Sequence, residues 1–424
     1  MSDGAVDRFE GSRRQHERAR RHLANGVATA FRAAQRPVPI TFVRGAGSHL
    51  WDIDGHEYVD WSLGFGPMLL GHSPACVLSA MRTQLDAGLG YGASHPLEAE
   101  LAEIVCETVP SAEICVFNTT GSEAVHTAVR IARAATGRRI LIKFKDHYDG
   151  WYDPIHVGVP GRPGSGPGTG GQDPEAARST LVCPWNDIEA LRGLLDSDVA
   201  AVIMEPINVN GGCILPAPGY LEQAKDLIHK AGAVLIFDEV ITGYRAALGG
   251  AQEYLGVTPD LTVLGKALGA GVPISAVAGS ADVMSVVGPE VAHVGTFNLN
   301  PLAAAAALAA VRYLQAGHRD IYPRLDAVGS ALASVFREAS KEGGLPLEVN
   351  QVGAIAHAYA PPPPGDRETY LDLAAGLLGA GVQVIPRGTL YVSTEHTDDD
   401  VALTRDAVRI ATQAARRGPG AGRP

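Results

Sequence analysis

Cysteine is scarce in this 424-residue chain, and what there is does not suggest pairing. The five, Cys76, Cys106, Cys115, Cys183 and Cys213, are odd in number and show no Cys-x-x-Cys spacing. That excludes a disulfide framework and a zinc site, so no metal is expected, and a reducing, cytoplasmic setting is. Positive charge is short as well: 35 Lys and Arg against 46 Asp and Glu leave a net charge of −11, which argues against nucleic acid as a partner. One basic cluster, Arg13, Arg14, Arg18, Arg20 and Arg21, fits the exposed face of a helix from about Asp7 to Leu23. Long apolar runs are missing. The longest alanine-rich one, Leu302 to Val311, is too short to span a bilayer, and Met1 to Asp7 contain no apolar leader core, so a soluble protein without a membrane partner is expected. There is no internal repeat.

What remains is globular: 46% hydrophobic and 19% charged residues over a length that exceeds one ordinary core. Residues 1–73 read as a helix and a small β-layer with turns at Gly45-Ala46-Gly47 and Asp54-Gly55, part of a smaller lobe. Residues 74–315 alternate amphipathic helices with short apolar strands, at Glu113–Phe117, Arg139–Phe144, Ala200–Met204, Ala233–Phe237 and Leu261–Leu264. This pattern predicts an α/β domain with a mostly parallel sheet covered on both faces. Residues 316–424 read as α+β, with helices at Tyr322–Lys341, Arg367–Leu378 and Asp398–Arg416 and strands near Leu347–Val349, Ala354–Ala360 and Leu390–Ser393. Gly158–Gly171, rich in Gly and Pro, predicts a mobile surface loop, and Gly418–Pro424 a frayed tail.

Three segments carry chemistry. The run Ala233-Val-Leu-Ile-Phe237 leads into Asp238-Glu239, placing a carboxylate at the carboxyl end of a buried strand, where α/β sheets meet their ligands. To stay ionised there it needs a cationic partner. Asp260-Leu-Thr-Val-Leu-Gly265-Lys266 puts a lysine at another strand end among small residues, where desolvation makes an amine nucleophilic. A phosphate-loop pattern does not end at Lys266. Thr120, Gly121 and Ser122 open an amphipathic helix and offer hydroxyls and free amides to an anion. Taken singly, these are also a salt-bridged strand end, a surface lysine and an ordinary helix cap. Together, a nucleophilic lysine, a carboxylate and a phosphate cradle are the protein's share of pyridoxal 5′-phosphate (PLP) chemistry.

From about Pro39 to Asp400 the chain resembles the class III aminotransferases, especially their glutamate-1-semialdehyde aminomutase branch. The resemblance rests on Leu50-Trp-Asp-Ile-Asp-Gly55, Gly66-Pro-Met-Leu-Leu-Gly-His72, Asp238-Glu-Val240-Ile-Thr-Gly243, Pro259 to Lys266, and Gly295-Thr296 followed by Asn300-Pro301. It implies a fold-type I homodimer with a large PLP domain, built on a mostly parallel seven-stranded sheet, and a smaller α+β domain. In it Lys266 binds the cofactor covalently, Asp238 holds the ring-nitrogen proton, and Val240 and Tyr148 cover the two ring faces. Gly121 and Ser122 hold the phosphate, with Thr296 arriving from the partner subunit, and Asn210 stands near the ring hydroxyl.

The departures bear on the reaction. The family's Tyr-His-Gly is Tyr148-Asp149-Gly150 here, and its Ser-Gly-Thr is Thr120-Gly121-Ser122. Where aminomutases carry a longer stretch with a Phe-Glu pair, this chain has Pro386-Arg387-Gly388, which resembles the β-amino-acid aminotransferases, whose arginine binds the substrate carboxylate. Arg32, in Gly26 to Ala33, is a second candidate for that carboxylate. Transamination of a carboxylated amino acid, possibly a β-amino acid, with a keto acid or aldehyde is therefore expected. An intramolecular aminomutase and a racemase or epimerase remain open, and a non-catalytic PLP-binding protein fits least.

Overall fold

The computed structural model describes residues 7–160, 166–343, 347–359 and 367–416. Residues 161–165 of the Gly158–Gly171 loop, and all of the Gly418–Pro424 tail, lie outside the described residues. Two compact units emerge: Met1–Phe65, Leu70–Pro74 and Arg324–Pro424 form one, and Gly66–Leu69 and Ala75–Pro323 the other. The chain's two ends thus share one unit. The boundary falls at Pro323 and not near residue 315, because the alanine-rich run is already helical: one helix covers Pro301–Gly343, and the helix expected from Tyr322 is its second half. Pro323 lacks the N–H that would bond back along the helix.

The first unit opens with the helix Glu10–Ala19, shorter than the expected Asp7–Leu23 span, with all five clustered arginines exposed. Then β1 (Phe42–Ala46), β2 (His49–Asp52) and β3 (Glu57–Asp60) pair as an antiparallel meander.

The second unit holds β4 (Ile114–Asn118), β5 (Ile140–Phe144), β6 (Thr180–Cys183), β7 (Val199–Met204), β8 (Val234–Glu239), β9 (Leu261–Leu264) and β10 (Ser275–Gly279). They form one seven-stranded sheet in the order β4-β10-β9-β8-β7-β5-β6, parallel except that β10 runs antiparallel to both neighbours. Alternation along each strand feeds two cores, as expected when both faces are covered. On one face Ala201, Ile203, Ile236 and Val263 pack under Ala124, Val125, Ala128 and Ala132 of the helix Gly121–Thr136. On the other, Val202, Met204, Leu235 and Phe237 pack under Leu221, Ala224 and Ile228 of the helix Tyr220–Lys230. Burying each such side chain stabilises the unit by about 1.5–3 kcal/mol. This leaves the carboxyl ends of β5, β7, β8 and β9 open along one edge.

The first unit then resumes. β11 (Glu348–Val352), β12 (Ile355–Tyr359) and β14 (Thr389–Tyr391) make an antiparallel sheet, while β13 (Val382–Gln383) adds to β3 in parallel. The helices Arg367–Gly379 and Asp398–Arg416 complete it.

Candidate active site

The second unit contains a cavity of about 420 Å³ lined by Thr120, Gly121, Ser122, Tyr148, Asn210, Asp238, Val240 and Lys266. Eight of the eleven site residues expected from the sequence therefore meet in one place, although they come from five separate stretches of chain.

One end is a helix N-terminus. Thr120 caps the helix Gly121–Thr136: its Oγ1 accepts Glu123 N–H at 3.3 Å, and Glu123 Oε2 accepts the amides of Thr119 at 3.1 Å and Thr120 at 2.8 Å. This reciprocal cap, with Ala124 N–H bonded to Thr120 O at 3.0 Å, accounts for the third and fourth helical amides. The first two, of Gly121 and Ser122, remain for a ligand. A Cβ at Gly121 would stand only 3.2 Å from Val240 Cγ2, so glycine keeps the cradle open. The Thr120 hydroxyl, expected as an anion ligand, is an acceptor in the cap.

The other end is acidic. Asp238, the fifth residue of β8, is buried; its Oδ1 accepts Val240 N–H at 3.0 Å. Burial, and next the charge of Asp149, hold its carboxyl well above the usual carboxylate range. Glu205, directly after β7, accepts four N–H groups: Tyr148 N at 2.7 Å and Asn210 Nδ2 at 2.8 Å on Oε1, Val209 N at 2.9 Å and Asn210 N at 3.1 Å on Oε2. Burial and Asp149 nevertheless push it up to about 7. Asn210 and Tyr148 are thus anchored to one carboxylate. Glu239, the neighbour of Asp238, plays a structural part, accepting from Thr242 Oγ1 and from the amides of Ala251 and Gln252.

Lys266 follows β9 and starts a single turn, Lys266–Gly269. Its backbone is left-handed, with φ +41°. Such a conformation in a non-glycine residue costs about 1–3 kcal/mol and is characteristic of functional positions.

The remaining three expected residues lie elsewhere. Thr296 is exposed in the second unit and does not line the cavity. Arg32 and Arg387 belong to the first unit, where the Arg387 guanidinium carbon lies 5.2 Å from the ring centre of Phe31, the neighbour of Arg32 in sequence. Residues that the sequence did not single out are Glu205, Lys143 and Trp151; Asp149 stood out only as a departure from the family's Tyr-His-Gly. Glu205 carried the same signal as Asp238, a carboxylate right after an apolar parallel strand; Trp151 lines the cavity while 72% exposed.

PLP fits this donor set. Two amides at a helix start suit a phosphate dianion, a lysine amine suits an aldehyde, and a buried carboxylate far from its usual protonation needs a cation such as a protonated ring nitrogen. Among the described residues no group of three or more His, Cys, Asp or Glu is placed to hold a metal ion, and no helix is long and apolar enough to cross a membrane.

Comparison with known proteins agrees with the geometry. The family model of class-III aminotransferases matches residues 30–401. The glutamate-1-semialdehyde 2,1-aminomutase of Chloroflexus aggregans is 37% identical, over 96% of this chain and 98% of its own. An omega-transaminase from Sphaerobacter thermophilus superposes with a TM-score of 0.89 at 33% identity, covering 98% of this chain and 99% of that one. A β-phenylalanine aminotransferase from Variovorax paradoxus gives 0.83 at 30% identity, over 96% and 94%. With this match across most of its length and a cavity built for the cofactor, the chain belongs to the class III aminotransferases, fold-type I enzymes that use pyridoxal 5′-phosphate.

Proposed function

We propose that this chain transfers an amino group from a carboxylated amino acid, with β-amino acids as the favoured class, to a keto acid or aldehyde. The observation that carries the carboxylate preference is Pro386-Arg387-Gly388 with the Arg387 guanidinium set over Phe31. Such a guanidinium grips a carboxylate through two parallel hydrogen bonds and fixes its direction. Arg32 is the second substrate-binding arginine.

When bound, PLP supplies a carbonyl for the amine and a ring that withdraws electrons from the reacting carbon. Gly121 and Ser122 would donate their amides to its phosphate, with Thr120 holding the helix end in place. Asp238 would hold the ring-nitrogen proton, Val240 and Tyr148 would cover the ring, and Asn210 would meet the ring hydroxyl. Lys266 Nζ would anchor the cofactor, and its amine, once free, would hold or move a proton as general acid and base.

A homodimer is part of the reading. Val294 is 83% exposed, Phe297 69%, Leu89 55% and Tyr91 47%, and the two segments are tied by His95 Nε2 to Leu299 O at 3.0 Å and Asn300 Nδ2 to Leu89 O at 2.7 Å. An apolar patch of this kind suits a subunit interface, and Thr296 lies within it, able to serve a partner's phosphate. Five free cysteines support a cytoplasmic setting.

The test is a panel of α-amino acids, β-amino acids and uncharged amines against keto-acid acceptors, with product analysis. Turnover confined to donors without a carboxylate would refute the reading. An aminomutase is the second reading, supported by the 37% identity to aminomutases; turnover of glutamate-1-semialdehyde without an external acceptor would favour it.

A further inference from the structure

Behind the acidic end of the cavity stands an ion pair that the mechanism above does not use. Asp149 and Lys143 are both wholly buried, with Lys143 Nζ 2.9 Å from Asp149 Oδ2. Lys143, within β5, directs its hydrogens to His147 O at 3.0 Å and Ile155 O at 3.3 Å. Its contact with Asp149 is one of charge and not a hydrogen bond, and Asp149 Oδ1 has no donor among the described residues. Asp149 nevertheless lines the same cavity as Asp238 and Lys266. If it served only to neutralise Lys143, an apolar pair of equal volume would do as well or better. A buried carboxylate left short of donors beside a ligand cavity points to the ligand.

Resting on the functional reading above, we propose that Asp149 is a positioning residue for the ring nitrogen of PLP: held by Lys143, its charge backs Asp238, so that the proton between Asp238 and the ring persists to higher pH. The charge inventory supports this. Asp149, Glu205 and Asp238 line the cavity with Lys266, and Lys143 pairs with Asp149, so carboxyl groups outnumber amines on the lining that would meet a protonated ring nitrogen. The charge of Asp149 acts on Asp238, second only to burial. The other titratable groups nearby do not replace it. His147, on the same loop, is kept neutral by burial and by Lys143. Tyr152, whose buried hydroxyl has no partner among the described residues, is held above its ordinary range by burial and Asp149. Arg133 and His126 come from the helix Gly121–Thr136, the latter stacked on Tyr152 at 4.8 Å, with burial keeping His126 below its usual range.

The experiment loads the enzyme with PLP labelled with ¹⁵N at the ring nitrogen and follows its NMR shift with pH. Asp149→Asn should lower the midpoint for loss of the ring proton by about 1 pH unit or more, and Asp149→Glu should restore most of it. Because Asp149→Asn leaves a buried lysine unpaired, the double variant Asp149→Asn, Lys143→Met is measured alongside and should also titrate below the native enzyme. A native midpoint in the folded variants would overturn the proposal and leave the pair a purely structural one. Borohydride fixation with mass mapping checks loading separately: failure of the native protein to fix PLP at Lys266 would refute the functional reading, not this inference.

Discussion

Glu205→Gln sets two opposing effects against each other at one buried carboxylate. Burial and Asp149 raise Glu205 from its ordinary 4.5 to about 7. A group whose folded value is raised contributes stability that is present below the unfolded value and is lost as pH climbs through the folded one. Across that interval of about 2.5 pH units, at 1.36 kcal/mol each, the native protein forfeits about 3 kcal/mol. Glutamine does not titrate, so the variant escapes this loss. Against that, its NH₂ must face one of the two pairs of N–H donors, Tyr148 N with Asn210 Nδ2 or Val209 N with Asn210 N. Two stranded donors cost about 2–6 kcal/mol. The variant should therefore be less stable at pH 5, and the gap should close by about 3 kcal/mol by pH 8. Unfolding midpoints of cofactor-free native and variant protein across this range provide the assay. A gap that stays constant or widens with pH would mean that the four donors keep Glu205 ionised throughout, and the reasoning would fail.

Lys266→Ala should abolish borohydride-fixable cofactor, as read by mass spectrometry of the reduced protein; fixation at another lysine would contradict its role. Gly121→Ala places a methyl 3.2 Å from Val240 Cγ2; overpacking of this kind costs about 1–3 kcal/mol, and a fluorescence titration should show PLP affinity reduced about tenfold or more. Arg387→Ala and Arg387→Lys should each lower kcat/KM for carboxylated donors by about one to two orders of magnitude, the worth of a charge-assisted bidentate contact, while uncharged amines lose far less and PLP affinity is kept.

The strands that position the site were legible where their residues are strongly apolar and end abruptly in a charge. Leu261–Leu264 lies as expected, and β8 begins one residue after the expected Ala233 and runs on through Asp238 and Glu239. β10 was missed because Ser275-Ala-Val-Ala-Gly279 is made of small residues without the bulk that marks a buried strand, and β6 because Thr180-Leu-Val-Cys183 is short and half polar. The antiparallel direction of β10 leaves no local trace either, since direction is decided by the partner strands. The buried pair was invisible for a different reason. A lysine in Ile140-Leu-Ile-Lys143-Phe144 reads as the polar side of a strand, and only the turn through Asp146, at φ +64°, brings Asp149 back onto it. Glu205 was legible in principle, since it follows the apolar strand Ala200–Met204 directly.

The left-handed backbone at Lys266 ties chemistry to fragility. Most L-residues there bear a similar conformational burden, and glycine relieves it best. Lys266→Gly should thus relieve that backbone strain while losing the nucleophile. Selection on heat resistance alone would drift toward discarding the one side chain that the whole sheet exists to present, so a stability screen of this enzyme must carry an activity filter to keep it.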